Sequence, residues 1–191
     1  MDLEEIKAHT ETTFMYSGGA SFKTHVLCTN KAVIKFKPTL NFALYTLMYL
    51  GLAILSYYVG IKLFPIDNGL SALGFIILGA ALVFCYAFLY FLKDFLMKIV
   101  FSKKLGTYYK GYINLYLFRY DVVDLNKIVA IQILGEITSE TIAPFNSFEI
   151  NLVLKNSERV HVIDHNNLKS IINDATELSK FLSVPIWTNE S

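Results

Sequence analysis

The most apolar part of the chain reads FALYTLMYLGLAILSYYVGIKLF (Phe42–Phe64), PIDNG (residues 65–69) and LSALGFIILGAALVFCYAFLYFL (Leu70–Leu92). Each apolar segment has 23 residues, and Lys62 is the one charged residue in the pair. As helices, segments of this length reach about 34 Å, enough to cross a hydrocarbon layer of about 30 Å. Proline, asparagine and glycine between them are typical of a turn. The sequence therefore predicts a transmembrane hairpin over residues 42–92.

The rest of the chain is large enough for one soluble domain. Of the 191 residues, 41 precede the predicted hairpin and 99 follow it. Together they suffice for one modest hydrophobic core. The formal net charge of +1 lacks the basic excess that nucleic-acid-binding domains carry. We therefore expect a single domain, with the lipid bilayer as a partner and no nucleic acid.

Lysines near the hairpin predict its orientation in the membrane. They flank the outer ends of the two apolar segments, whereas the joining residues 65–69 contain no basic side chain. The positive-inside rule then places both termini in the cytoplasm, in a multi-pass protein of the cell inner membrane. The predicted membrane-interface residues, which could also bind anionic lipid, are Lys35, Lys37, Lys93, Lys98, Lys103 and Lys104.

The residues before the hairpin divide into two parts. Residues 1–12 are polar apart from Leu3 and Ile6, and we expect a flexible N-terminus. Within residues 13–41, the segments Phe22–Cys28 and Ala32–Lys37 have the composition of short strands. We expect these strands to belong to the soluble domain, because the apolar side chains of the second would otherwise form an exposed patch beside the membrane.

Residues 93–191 are predicted to form most of the soluble domain, which we expect to be cytoplasmic. Phe95–Lys104 mixes apolar residues with lysines and is expected to continue the second span or to lie along the interface. The polar side chains of the predicted strands, including Gln132, Glu136, Glu149 and Asn151, alternate with apolar ones and are expected to face solvent. The predicted strands are Tyr112–Tyr120, Ile128–Ile137, Phe148–Lys155 and Arg159–Ile163. An amphipathic helix over Asn167–Leu182 follows them.

These elements define an α+β membrane protein, with a two-helix transmembrane hairpin and an antiparallel β-rich domain that ends in one amphipathic helix. The pattern resembles uncharacterised bacterial inner-membrane proteins that have two transmembrane helices and a cytoplasmic domain like the pleckstrin-homology (PH) domain. The resemblance rests on Ala130–Ile133, Phe148–Leu154, Val162–Asn166 and Phe181–Trp187. It implies a PH-like architecture and a membrane location, but no activity.

Candidate chemical groups are few. His161, Asp164 and His165 are the one cluster with metal-ligand chemistry, yet residues four apart on a strand lie about 13 Å apart. Asp164 and Asn166 are better explained as caps of the following helix. The carboxylates of Glu136, Glu140 and Glu149 are expected to be solvated. We therefore predict no catalytic residues, no metal and no cofactor.

The resulting hypothesis is a non-catalytic, membrane-anchored protein that binds a protein partner or assists the assembly of a membrane complex. One alternative is an immunity or accessory protein that regulates another membrane component. Another is a membrane enzyme that acts on lipid, for which the sequence shows no catalytic motif. Assembly of the chain into a homo-oligomer is also left open.

The lysine distribution gives a direct test of orientation. Reporter fusions at Asp67 and at the C-terminus are expected to report opposite sides of the membrane, with the C-terminus cytoplasmic. A periplasmic C-terminus would contradict the prediction.

Overall fold

The computed structural model describes residues 2–15, 22–64, 70–112, 119–138 and 145–188. The chain forms two compact units. One is the hairpin, Pro38–Met97, and the other, here called the β-domain, combines Met1–Lys37 with Lys98–Ser191. The fold is α+β, and its strands pair mainly in antiparallel fashion.

The hairpin consists of helix α2 (Leu40–Leu63) and helix α3 (Leu70–Leu96). Helix α2 begins after Thr39, whose hydroxyl accepts a hydrogen bond from the Phe42 N–H at 3.1 Å. Both helices are long and apolar enough to cross a membrane, and only 11% and 6% of their most apolar windows are buried. A core helix of a soluble protein is mostly covered by other protein, whereas these two candidate membrane spans leave most of their apolar surface exposed. The predicted turn at 65–69 lies outside the described residues.

Glycines bring the two helices together. A Cβ atom added to Gly60 would lie 2.7 Å from the Leu78 Cγ atom, and one added to Gly74 would lie 2.9 Å from the Phe64 backbone nitrogen. Aromatic rings pack along the same contact, where Tyr49 stacks on Phe91 with ring centroids 5.1 Å apart. Small residues permit such close backbone approach, which strengthens van der Waals packing between helices.

The first sheet of the β-domain contains strands from both sides of the hairpin. Its strand order is β1-β2-β3-β4-β5. Strand β2 pairs antiparallel with β3, so that Ile34 lies opposite Phe101 and Phe36 opposite Ile99. Two adjacent strands are thus separated in sequence by the whole hairpin. The strands are β1 (His25–Asn30), β2 (Val33–Pro38), β3 (Lys98–Ser102), β4 (Thr107–Gly111) and β5 (Arg119–Asp124).

The second sheet has the order β8-β7-β6-β9. A short 3-10 helix, Leu125–Lys127, leads into it from β5. Strands β6, β7 and β8 are antiparallel neighbours, and β9 joins β6 in parallel. The order along the chain is β6 (Ile128–Thr138), β7 (Phe145–Leu154), β8 (Arg159–His165), helix α4 (Leu168–Leu182) and β9 (Ile186–Thr188).

One hydrophobic core joins the two sheets and α4. Side chains from the inner face of each sheet meet in a single cluster that includes Phe101, Tyr108, Ile131 and Leu152. Helix α4 contributes buried side chains from one stripe: Ile171, Ala175 and Leu178. The helix matches its predicted range to within one residue, and its N-cap is Asn167, which accepts a hydrogen bond from the Ser170 N–H at 2.9 Å.

The prediction for Phe95–Lys104 was wrong. Helix α3 ends at Leu96, and the chain enters β3 at Lys98. Ile99 and Phe101 belong to the main core, whereas Val100 between them is buried outside that cluster, which fits the two-residue period of a strand. The predicted strand Tyr112–Tyr120 lies mostly outside the described residues; β4 ends just before it, and β5 includes its last two residues.

Two alanine substitutions on the same helix test the packing of the hairpin. Gly74→Ala is expected to lower the thermal stability of the detergent-solubilised hairpin, because its new methyl group would meet backbone atoms of Phe64 that cannot move aside. Gly79→Ala is the matched control, since nothing lies within 4 Å of its Cβ position. Equal melting temperatures for the two variants would contradict this packing.

Candidate functional site

The N-terminal segment is packed against the second sheet. Helix α1 (Leu3–His9) begins with a capping box, in which the Asp2 N–H donates to the Glu5 carboxylate at 3.1 Å. Ile6 is only 3% exposed and packs with Ala130, Val153 and Trp187. We call residues 2–15 the N-terminal strap. This arrangement differs from the expected flexible N-terminus, because the surface that receives Ile6 comes from residues more than 120 positions away.

Beyond α1, side chains of the sheet hold the backbone of the strap. The Gln132 side-chain amide donates to the Glu11 carbonyl oxygen at 2.9 Å, and Arg159 donates to the Thr13 carbonyl oxygen. The Met15 N–H donates to the Glu149 carboxylate at 3.2 Å. All three contacts use main-chain atoms of the non-helical residues 11–15, so this face of the sheet binds peptide backbone.

Arg159 also makes the main charged contact with the strap. Its Nη2 atom lies 3.1 Å from the Glu11 carboxylate, and its Nη1 atom lies 3.4 Å from the Gln132 side-chain oxygen. The Arg159 side chain is 6% exposed, whereas that of Glu11 is 77% exposed. A buried guanidinium group needs several acceptors, and here the strap supplies two of them.

Strand β7 supplies a buried polar row beneath the strap region: Ser147, Glu149 and Asn151. The Asn151 amide donates to the Glu149 carboxylate at 2.6 Å. Among the described residues, the Ser147 hydroxyl and the Asn151 side-chain oxygen have no hydrogen-bond partner. Buried polar atoms of this kind are uncommon in native proteins.

The prediction that these polar side chains face solvent was wrong. Gln132, Glu149 and Asn151 are 3%, 1% and 0% exposed. Alternation shows which residues share a face, but it does not show whether another layer covers that face. One signal was present, since the apolar residues Ala130 and Val153 lie on the same face and pair across β6 and β7. Glu140 and the side chain of Glu136 lie outside the described residues.

An open groove of about 700 Å³ runs beside the strap. It is formed by the strap on one side and by the β7–β8 turn on the other. The lining residues are His9, Glu11, Met15, Asn156, Ser157, Glu158 and Arg159. The groove thus extends the surface that holds the strap backbone.

The predicted metal-ligand candidates have separate partners. His161 lies in a contact between the sheets, where its Nδ1 atom is 3.2 Å from the Lys110 ammonium and its carbonyl accepts from the Tyr108 hydroxyl. Burial, with the Lys110 charge as a smaller cause, lowers the pKa of His161 to about 3. Burial also raises the pKa of Tyr108, so its hydroxyl keeps the proton that it donates. A neutral His161 therefore accepts from Lys110 at Nδ1.

His165 occupies a different buried site at the end of β8. Its Nδ1 atom accepts from the Asn167 N–H at 3.3 Å, and its Nε2 atom lies 3.9 Å from the Asp174 carboxylate. Lys23 approaches the same carboxylate oxygen at 3.8 Å. The described part of the chain contains no group of three His, Cys, Asp or Glu residues that could hold a metal ion. The helix cap proposed for Asp164 or Asn166 belongs instead to Asn167.

The predicted membrane-interface lysines of the β-domain fall into two groups. Lys35, Lys37 and Lys98 are exposed on β2 and β3, and the register places Lys37 and Lys98 at the same end of this pair. Lys103 and Lys104 occupy the turn at the opposite end of β3, where Lys103 lies 4.5 Å from the Phe181 ring centre. Lys93 belongs to α3 and lies 5.9 Å from the Tyr90 ring centre.

Fold and site together define an α+β protein in which two candidate membrane spans interrupt a two-sheet domain. Comparisons of this chain with protein-family models, curated proteins and solved structures found no match.

The lowered pKa of His161 predicts a loss of stability in acid. Between pH 6.5 and 3 the unfolded chain binds a proton that the folded protein does not, so stability falls as the pH decreases below 6.5. At pH 5 this contribution is about 2 kcal/mol. Urea unfolding followed by the fluorescence of Trp187 at pH 7 and pH 5 should show a smaller acid loss for His161→Gln. An identical loss in both proteins would contradict the assignment.

Proposed function

We propose that this protein is a non-catalytic inner-membrane protein that presents a PH-like domain at the cytoplasmic face, where it binds a protein partner or assists complex assembly. The observation that carries the proposal is the pairing of β2 with β3. Because these neighbouring strands lie on either side of the hairpin in sequence, the β-domain is attached to the hairpin at both of its ends. Such a double attachment suits a domain that acts at a membrane surface.

The surface of the hairpin supports a membrane location. Large apolar side chains, among them Leu82, Ile76 and Tyr86, are more than two-thirds exposed. Burial in hydrocarbon would remove this apolar area from water, at roughly 25 cal/mol per Å². Lys37 precedes α2 by three residues, and Lys98 follows α3 by two. At about 3.5 Å per residue, their backbones can lie no more than roughly 10 Å from the ends of the spans, within reach of anionic headgroups.

The architecture of the β-domain supports the PH-like assignment. Two largely antiparallel sheets share one core, and a helix near the end of the chain packs on the second sheet. Two features go beyond the simple plan that the resemblance implies, namely β9, which lies parallel to β6, and the N-terminal strap.

Protein binding is favoured by the chemistry of the strap site. Gln132, Arg159 and Glu149 all contact main-chain atoms of the non-helical residues 11–15. Every peptide offers these atoms, so the same side chains suit a segment of a protein partner.

Co-purification of the tagged full-length chain from gently solubilised membranes tests the proposal. A complex subunit is expected to bring a partner in fixed stoichiometry, whereas an immunity protein would do so only when its target is present. Leu178→Ala, at a fully buried position, should abolish co-purification, because such truncations cost about 2–5 kcal/mol. The control Ile172→Ala, at a position 44% exposed, should retain the partner. Recovery of the chain without any partner under all these conditions would contradict the proposal.

A further inference from the structure

We propose that the outer face of the second sheet is a peptide-binding surface and that the N-terminal strap is its releasable occupant. The partner would be a peptide segment with a short helix that carries one aliphatic anchor. Non-helical backbone would follow, with an acidic side chain five residues after the anchor, as Ile6 in α1 and Glu11 are spaced here. This inference rests on the proposed protein-binding function and identifies where the partner binds.

The first support is the type of contact. The surface contacts the strap largely through backbone atoms of the strap. Two strap side chains add specific contacts: Ile6, which is buried, and Glu11, whose carboxylate pairs with Arg159. A segment from another protein that carries these two features in the same conformation, a short helix followed by non-helical backbone, would meet the same donors and acceptors.

The second support is that the strap leaves part of the surface unsatisfied. The Ser147 hydroxyl and the Asn151 side-chain oxygen are buried without a hydrogen-bond partner among the described residues. They lie on the same face of β7 as Glu149, which holds Met15. A ligand that supplied one donor to each would complement this polar row better than the strap does.

The third support is the separation of the strap from the main core. Ile6 belongs to a small cluster with Ala130, Val153 and Trp187, whereas the main core consists of residues from the two sheets and α4. Release of the strap would therefore uncover the outer face and leave the main core in place. Local opening of this kind requires much less free energy than global unfolding.

A strap peptide supplied in trans tests the inference. The probe is a fluorescent peptide of residues 1–15, and the protein is the full-length chain in detergent micelles with the substitution Ile6→Asp, which weakens its own strap. This chain is expected to bind the peptide at least tenfold more tightly than the wild-type chain, whose surface is occupied. Adding Arg159→Ala should weaken binding at least tenfold, because the Glu11 and Thr13 contacts are lost.

Two peptide variants control for specificity. A Lys7→Ala peptide should bind like the wild-type peptide, since Lys7 is exposed on α1, and an Ile6→Asp peptide should not bind. If the Ile6→Asp chain keeps the wild-type unfolding midpoint but does not bind the wild-type peptide, the inference is overturned.

If the Ile6→Asp chain does not fold, hydrogen exchange of the wild-type chain tests whether the strap can leave the sheet while the core stays folded. Strap amides, including that of Met15, are expected to exchange at least 100-fold faster than the core amides of β6 and β7. Exchange of both sets at the same slow rate would mean that the strap leaves only on global unfolding, which would overturn the inference. If a partner co-purifies with the wild-type chain and equally with Arg159→Ala, the proposed function stands and this surface is the wrong one.

Discussion

The pairing of β2 with β3 is the constraint on which the rest of the molecule depends. Neighbouring strands lie about 4.8 Å apart, so the two points at which the chain leaves and re-enters the first sheet are close together. The hairpin must therefore return its second helix near the start of its first. At this end of the hairpin the Phe42 ring packs against the rings of Phe91 and Phe95, with centroids 6.3 and 6.1 Å apart.

The second sheet is covered on both faces, and this accounts for its unusual polar content. One face contributes to the main core, while the other carries Gln132, Glu149 and Asn151 beneath the strap. Burying these groups costs free energy unless they form hydrogen bonds, and the strap backbone supplies two of these bonds, one to Gln132 and one to Glu149. The polar groups therefore bind a segment in a defined register, which an apolar face would not do as precisely.

Sequence patterns predicted the local parts of this structure well. The apolar hairpin and α4 depend on periodicity within a short stretch, and the structure contains both, with α4 within one residue of its predicted range. Lys98–Ser102 was misassigned because lysines and aromatic residues directly after an apolar helix are also typical of an interfacial helix. The contact of Ile6 with Val153 and Trp187 could not be predicted, since no local pattern records a partner so far away in sequence. The burial of Glu149 was missed for the same reason, since Met15, which donates a hydrogen bond to its carboxylate, lies 134 positions away.

The chain order of these contacts also imposes an order on biosynthesis. Strand β2 is synthesised about 60 residues before β3, and both hairpin helices lie between them. The first sheet therefore cannot be completed until both hydrophobic segments have left the ribosome, and the β2 edge that pairs with β3 must stay open until then. The outer face of the second sheet closes later still, because Ile6 packs against Trp187 and needs residue 187 to have been made. A chain that stalls after the hairpin would carry an open sheet edge, which makes incomplete molecules recognisable to proteases and chaperones.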